Sequence, residues 1–565
     1  MSSFPITLSL LLFIFNSQKL FSAATRILCR SDQRDALLDL NVSRNSFSRC
    51  IPSSIGDIPN LTFLDLSRNK FVSKIPSSLG SLLHLTSLDL SNNSFFGEIP
   101  FSFGNLSNLI SLNLFDNNFE GKLPSSLGNL SYLKFLDLSV NNIVGEIPSS
   151  LGNLTHLAFF YLHFNNFSGN IPSSLGNISH LTALTLSFNY FVGEIPSSLG
   201  NLSYLKNLIL SHNSFVGEIP PSFGSLSHLA FLNVESNNLS GSFPLELLNL
   251  TKLSILFLSN NRFSGILPSF NNTLDFSNTS LSSKLRELYI DNNNFIGPIP
   301  ISIFQSVSLV RVHLGNNHLS GKLSEIFFNG SNLRSLHLGH NQLVGKLPRS
   351  LSSCSSLEVL NLEHNRINDT FPFWLESLRN LQVLVLHSNE FHGLLQYHPN
   401  VTPSFSQLRI IDVSYNSFTG TLPSNFFMYW SAIFSKGNHS ELNYVGDRSY
   451  DQDSLALMNK GLKMNLSNIT VSHNQLVGQR PQSTQFQTQD ASSFEDNMGL
   501  CGRPLSITCG DIDTEISEEP ETEEEEEEEQ AVLSWTAAVI GLAPGVIFGL
   551  IIGNFVTLQK PQWLM

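Results

Sequence analysis

The sequence predicts an α/β solenoid with a parallel sheet along its concave side, followed by one membrane-crossing helix. Three observations predict it. Asparagine recurs at 24-residue intervals, most of them close an L-x-x-L-x-L-x-x-N pattern, and a 28-residue stretch without charge stands near the C-terminus. A fixed period in this range is the mark of stacked repeats rather than of several globular domains.

The unit reads LTSLDLSNNSFFGEIPFSFGNLSN at 85–108, with Asn93 at its ninth position. The series runs Asn45, Asn69, Asn93, Asn117, Asn141, Asn165, Asn189, Asn213, Asn237, Asn261, then after eight extra residues Asn293, Asn317, Asn341, Asn365 and Asn389, then Asn416 and Asn474: seventeen coils. Alternation at Leu88 and Leu90 turns leucine inward along a short strand. The asparagine leads the chain out of the strand, and its amide can satisfy backbone groups that stacking would bury. Phe95 fills the core, and Gly97 and Pro100 shape the returning arc, one by open dihedrals and one by a fixed φ. Arg49 and Ser73 replace that glycine in the first two coils. At the usual strand spacing seventeen coils extend about 80 Å.

Thirteen acidic residues lie between Asp511 and Glu529, so the rest of the chain is close to neutral although the formal net charge is −14. That argues against a nucleic-acid partner. Nineteen N-x-S/T sequons predict glycosylation if the chain is secreted: Asn41, Asn60, Asn92, Asn105, Asn129, Asn153, Asn166, Asn177, Asn201, Asn238, Asn249, Asn271, Asn278, Asn329, Asn368, Asn400, Asn438, Asn465 and Asn468. N-L-S is also simply what the repeat spells. Five cysteines occur: Cys354 reads as a core residue, and Cys501 and Cys509 as a disulfide beyond the repeats.

Residues 1–24 carry an apolar run and then small residues, a signal peptide by pattern. Repeats occupy 41–427; an island without leucine period occupies 428–464; the last repeat spans 465–481. A cap at 482–510, an acidic juxtamembrane segment at 511–530, a membrane helix at 531–558 and a tail at 559–565 follow. The length suffices to cross a bilayer with some tilt. The signal peptide and the acidic flank set the repeats outside, a single-pass type I arrangement in the cell membrane. Gly541, Gly545, Gly549 and Gly553 fall on one helix face, where a partner helix can approach closely.

No catalytic constellation is present, no cofactor is predicted, and the seven-residue tail holds no enzyme. His156, His180 and His228 share a repeat position with Tyr132 and Tyr204, which reads as a tolerant surface column rather than a metal site. The candidate ligand surface is the concave sheet, whose outward positions include Phe135, Phe159, Tyr161, Phe164, Phe188 and Phe231, then Tyr289, Arg311, His313, Arg334 and His337. Exposed aromatics beside basic groups are what recognition surfaces use.

The Gly-x-Ile-Pro tail followed by S-S-L-G-N-L-S resembles the plant-type leucine-rich repeat. With D-Q-R-x-A-L-L at the start, GLCGRPL in the cap and K-P-Q-W in the tail, nearly the whole chain resembles a plant receptor-like protein, a leucine-rich-repeat cell-surface receptor lacking a kinase domain. The resemblance implies a plant-type superhelix and an extracellular ligand: a peptide, a microbial protein or a wall fragment. It also implies signalling in defence or development through a membrane receptor kinase met at the glycine face and the acidic segment. Residues 25–40 would be a vestigial cap lacking the family's further cysteines and tryptophan, which leaves the pairing of Cys29 and Cys50 open. One repeat follows the island where the family has several, so a non-functional shortened receptor is one alternative. A non-signalling wall or inhibitor-type binding protein is the other.

Overall fold

In the computed structural model the described residues are 39–270 (apart from 42, 46 and 49), 284–325, 327, 331–395, 405, 407–422, 468–481, 486 and 489–509. They belong to one compact unit, Met1–Thr508, except Cys509, which opens the second. The expected signal peptide, island, acidic segment, membrane helix with its glycine stripe, and tail lie outside the described residues. Among the described residues no helix is long and apolar enough to cross a membrane.

The repeats coil as a solenoid. Strands of three residues, such as Ser87–Asp89, Phe135–Asp137 and Phe159–Tyr161, join a 17-stranded parallel sheet in which each coil pairs with the next. The sheet starts at Asp39–Asn41, paired with Phe63–Asp65, so Asp39 and Leu40 belong to a first coil rather than to a cap. It also passes over both interruptions: Ile255–Phe257 pairs with Glu287–Tyr289, and Ile410–Asp412 with Asn468–Thr470. The sheet therefore continues across both insertions without losing a strand.

Each coil position does what its chemistry dictates. Leu85, Leu88, Leu90 and Phe95 are fully buried, and one apolar core continues from Leu40 to Leu500. Phenylalanines in the Phe95 column form a spine, with Phe71 and Phe95 5.6 Å apart and Phe167 and Phe191 6.0 Å apart. A second row of parallel strands follows the asparagines, and then a short 3₁₀ turn such as Ser149–Asn153 closes the arc. Glycine meets a steric demand at two positions of the repeat. At Gly121, φ is +75° and a Cβ would stand 2.6 Å from the Glu98 side chain; at Gly152 a Cβ would meet the Ser174 carbonyl oxygen at 2.4 Å.

The asparagines hold coil to coil. Asn165 donates through Nδ2 to the carbonyls of Leu138 at 2.9 Å, Leu162 at 3.1 Å and His163 at 3.4 Å, and its Oδ1 accepts from the Ile143 N–H at 3.0 Å. The residue before each asparagine pays for this: from Arg44 to His473 it sits in the left-handed region although none is glycine. An eighteenth rung was not legible in the period. Asn497, inside the cap, donates to Val471 and Phe494 and accepts from the Leu476 N–H at 3.0 Å. It stands 23 rather than 24 residues after Asn474, and Phe494 replaces the leucine.

Asn165→Ala is expected to lower stability by about 3 kcal/mol, because a buried N–H and carbonyls lose their partners together. The exposed Asn207→Ala is expected to cost about 0.5 kcal/mol or less. Urea unfolding midpoints measure both; equal midpoints would mean that stacking alone holds the coils.

Candidate functional site

The concave sheet presents the variable positions of successive strands as columns, since parallel register sets residues 24 apart beside one another. Phe135 faces Phe159, and Asp137 faces Tyr161. Their rings form a triangle with centroids 6.0 Å (Phe135–Tyr161), 6.3 Å (Phe135–Phe159) and 6.3 Å (Phe159–Tyr161) apart. Phe159 is 41% exposed, Phe135 and Tyr161 are half-buried, and on the far side Phe159 neighbours the small Ala183. Burial, and next the nearby Asp137, push the Tyr161 phenol above its ordinary range. Asp137 itself is raised by burial against the hydrogen bonds it accepts from Ser139. The cluster is thus an uncharged, partly desolvated ring platform with one neutral hydroxyl.

The other expected residues are placed differently. Phe164 and Phe188 are not on the concave strands. They occupy the left-handed turn after them, φ 53° and 54°, and stack at 4.3 Å on the rim, where His212 continues the stack at 4.1 Å from Phe188. Tyr289 offers little surface: it is 6% exposed, between Phe257 at 4.3 Å and His313 at 4.5 Å. Arg311 is not an open cation, because Glu287 meets it at 2.8 Å with both side chains mostly covered. The signal was in the sequence, as the two share a column one coil apart. Arg334 is the more open, 3.7 Å from Glu358 with its side chain 52% exposed.

His313 and His337 do not supply positive charge at neutral pH. Their rings lie 4.1 Å apart, and burial lowers both pKa values, that of His337 to about 4. The Nε2 of His337 is buried and makes no hydrogen bond.

On the entry edge of the strands a shallow groove of about 560 Å³ crosses five coils, lined by Asn60, His84, Asn108, Tyr132, Lys134 and His156 among others. Its histidine column continues beyond it, with His156, His180 and His228 held by Nδ1 contacts of 2.9–3.0 Å to backbone carbonyls of the coil before. Among the described residues no group of three or more His, Cys, Asp or Glu could hold a metal ion.

Of the sequons, Asn105, Asn129, Asn153, Asn177, Asn201 and Asn249 each end a 3₁₀ turn and are exposed in one column. Asn41, Asn166 and Asn368 are exposed as well, and Asn60, Asn92 and Asn238 half-buried; Asn468 lies in a concave strand. Asn271, Asn278, Asn329, Asn400, Asn438 and Asn465 lie outside the described residues. Cys501 and Cys509 are both disulfide-bonded, and Cys354 is a core residue whose thiol burial pushes up to about 11.

Comparison with known proteins follows the same columns. Leucine-rich-repeat family models match 60–82, 84–106, 108–130, 132–154, 156–178, 180–202, 204–226, 252–274, 284–306, 307–367 and 407–428. Receptor-like protein 35 of Arabidopsis thaliana is 33% identical over 257 residues, 31% of this chain and 27% of that protein. The chain belongs to the leucine-rich-repeat family. The aligned stretch spans about a quarter of that relative's length. Among solved structures, the plant peptide hormone receptor RGFR1 in complex with RGF2 matches with a TM-score of 0.69 and 31% identity, over 82% of this chain and 67% of that one. The Arabidopsis receptor kinase HAESA, in complex with the peptide hormone IDA and the co-receptor SERK1, matches at 0.61 and 29%, over 84% and 85%.

Burial of His337 carries a pH signature. Its folded pKa of about 4 lies below the 6.5 of an unfolded histidine, so protonation favours unfolding. Stability is expected to be full above pH 6.5 and to fall by up to about 3 kcal/mol as pH drops toward 4, with His313 acting in the same direction. Urea midpoints across this range should flatten in His337→Gln; an unchanged slope would assign the loss elsewhere.

Proposed function

We propose that the chain is a cell-surface receptor-like protein without catalysis of its own. It holds an extracellular peptide, microbial protein or wall fragment against the concave face and signals in plant defence or development through a partner receptor kinase. The observation that carries the reading is the Phe135–Phe159–Tyr161 platform. Three rings gathered on the concave sheet, with Phe159 41% exposed, are an unusual expense of apolar surface to water unless something covers it. The similarity to receptors solved with peptide hormones supports it. In this reading 1–24 is a signal peptide, 531–558 crosses the membrane once, and the repeats stand outside. Asp511 to Glu529 and the stripe Gly541, Gly545, Gly549 and Gly553 meet the partner kinase.

Replacing Phe159 and Tyr161 together with alanine is expected to weaken ligand binding about tenfold or more. The stability cost should stay near 1 kcal/mol. Unchanged affinity in a normally secreted variant would move the site off the concave face.

A second outcome concerns the partner. Purified from plant membranes, the full-length protein is expected to bring a receptor kinase with it. Changing Gly545 and Gly549 to leucine should reduce recovery more than neutralising Glu523 to Glu529, because helix packing is short-ranged whereas the charge effect is screened by salt. Full recovery of the kinase by the leucine variant would remove the glycine stripe from the interface.

A further inference from the structure

Near the C-terminal end of the described repeats the rim carries a second row of rings, distinct from the concave platform. His340 and His364 occupy the left-handed turns of adjacent coils, φ 55° and 49°, and stack at 4.2 Å. His387 joins them from the strand exit of the next coil, 4.8 Å from His364. Tyr415 lies 5.0 Å beyond His387, and His473 stacks on Tyr415 at 3.7 Å. His340, His364 and Tyr415 are exposed, and His387 and His473 are half-buried.

The charges facing this row are few and defined. Glu363 lies 3.7 Å from His340 Nε2, Asp412 lies 3.7 Å from His387 Nδ1, and Asp496 pairs with His473 at 2.6 Å. The groups acting electrostatically on His364 are His340, His387, Glu363 and Asp412. Two carboxylates therefore serve three clustered histidines. With the imidazoles neutral the trio and its two carboxylates carry −2, and with all three protonated they carry +1.

The hydrogen bonds decide where protons go. The Ser414 hydroxyl donates to Asp412, so the 2.7 Å contact between His387 Nδ1 and Ser414 Oγ has the imidazole as donor. Glu363 accepts from the Asn361 amide at 3.0 Å, and Asp412 accepts from the Ser414 N–H at 3.0 Å. His364 has no carboxylate within ion-pair distance and makes no side-chain hydrogen bond among the described residues. Its ring nitrogens meet no partner among the described residues, while two more imidazole rings stand within 5 Å. An external anion is what would complete them.

We infer that His340, His364 and His387 form a proton-gated binding site for a carboxylate, supplied by an acidic side chain of a peptide or protein segment. The site is closed to such a group at neutral pH by Glu363 and Asp412, and open to it at mildly acidic pH. An acidic side chain suits the place because a single carboxylate on a flexible arm can reach a rim site only three rings long. Burial and the flanking histidines hold His364 below its ordinary pKa. Occupation by a carboxylate reverses that balance, so binding and proton uptake are coupled in both directions. The site stands on its own and does not require the concave platform to bind anything.

The test uses the full-length protein in detergent micelles with tetraglutamate as probe, titrated calorimetrically at pH 5.5 and 7.5. Affinity is expected to be about tenfold or more higher at pH 5.5, with net proton uptake seen as a dependence of the heat on buffer ionisation enthalpy. His364→Gln with His387→Gln should abolish both effects. The control His156→Gln with His180→Gln, at two exposed stacked histidines elsewhere, should leave them intact. Binding that is equal at the two pH values, absent at both, or indifferent to the His364 and His387 substitutions would overturn the proposal. Failure of the concave platform to bind a ligand would not touch it.

Discussion

The coils of this protein depend on one recurring amide, buried or half-buried from Asn69 to Asn497. Stacking flat turns places backbone carbonyls and N–H groups against apolar neighbours, where each unmade hydrogen bond costs of order 1–3 kcal/mol. The asparagine at the ninth position answers both kinds at once, donating to its own coil and to the one before it, and accepting from the one before it. Holding that amide in place requires a sharp exit from the strand, and the preceding residue absorbs it in the left-handed region, at a cost of about 1–2 kcal/mol for an ordinary side chain. That arrangement persists through arginine, phenylalanine, histidine and tyrosine alike. The ladder therefore outweighs the strain at every rung, and it ends on Asn497, where the cap borrows the device without the period.

The same constraint explains where surface chemistry collects. Because the left-handed turn is dictated by the ladder and not by the side chain, its occupant is free to vary, and it projects at the rim. Neighbouring rims lie one coil apart, close enough for rings to stack. Phe164, Phe188 and His212 use the position for one row, and His340, His364, Tyr415 and His473 for another. The concave columns behave likewise. A charge placed one repeat after its opposite becomes an ion pair, as with Glu287 and Arg311, and a histidine placed one repeat after a histidine becomes a desolvated, neutral pair, as with His313 and His337. A solenoid turns a sequence interval of 24 into van der Waals contact.

The two interruptions show how little the sheet requires of the arc. The strands on either side of each insertion, Ile255–Phe257 with Glu287–Tyr289 and Ile410–Asp412 with Asn468–Thr470, pair in register. Only the strand and the asparagine must come back in phase, since these carry the pairing and the amide bonds. Insertions at the arc therefore preserve the column logic on both sides of them.

The period, the inward leucines, the Phe95 spine and the role of the asparagines were all legible in the residues, because a repeated chemical requirement leaves a repeated letter. The Asn497 rung was not, since one deleted residue hides it from any search by interval. Surface assignments fared unevenly for a related reason. Phe135, Phe159 and Tyr161 could be placed on the concave face from alternation alone. Exposure could not: Tyr289 is covered by Phe257 and His313, Arg311 is answered by Glu287, and Phe164 and Phe188 leave the sheet at the turn. Sequence determines which column a side chain enters, because backbone hydrogen bonding sets the register. Whether that side chain is open, neutral or already paired is decided only by the coils stacked above and below it.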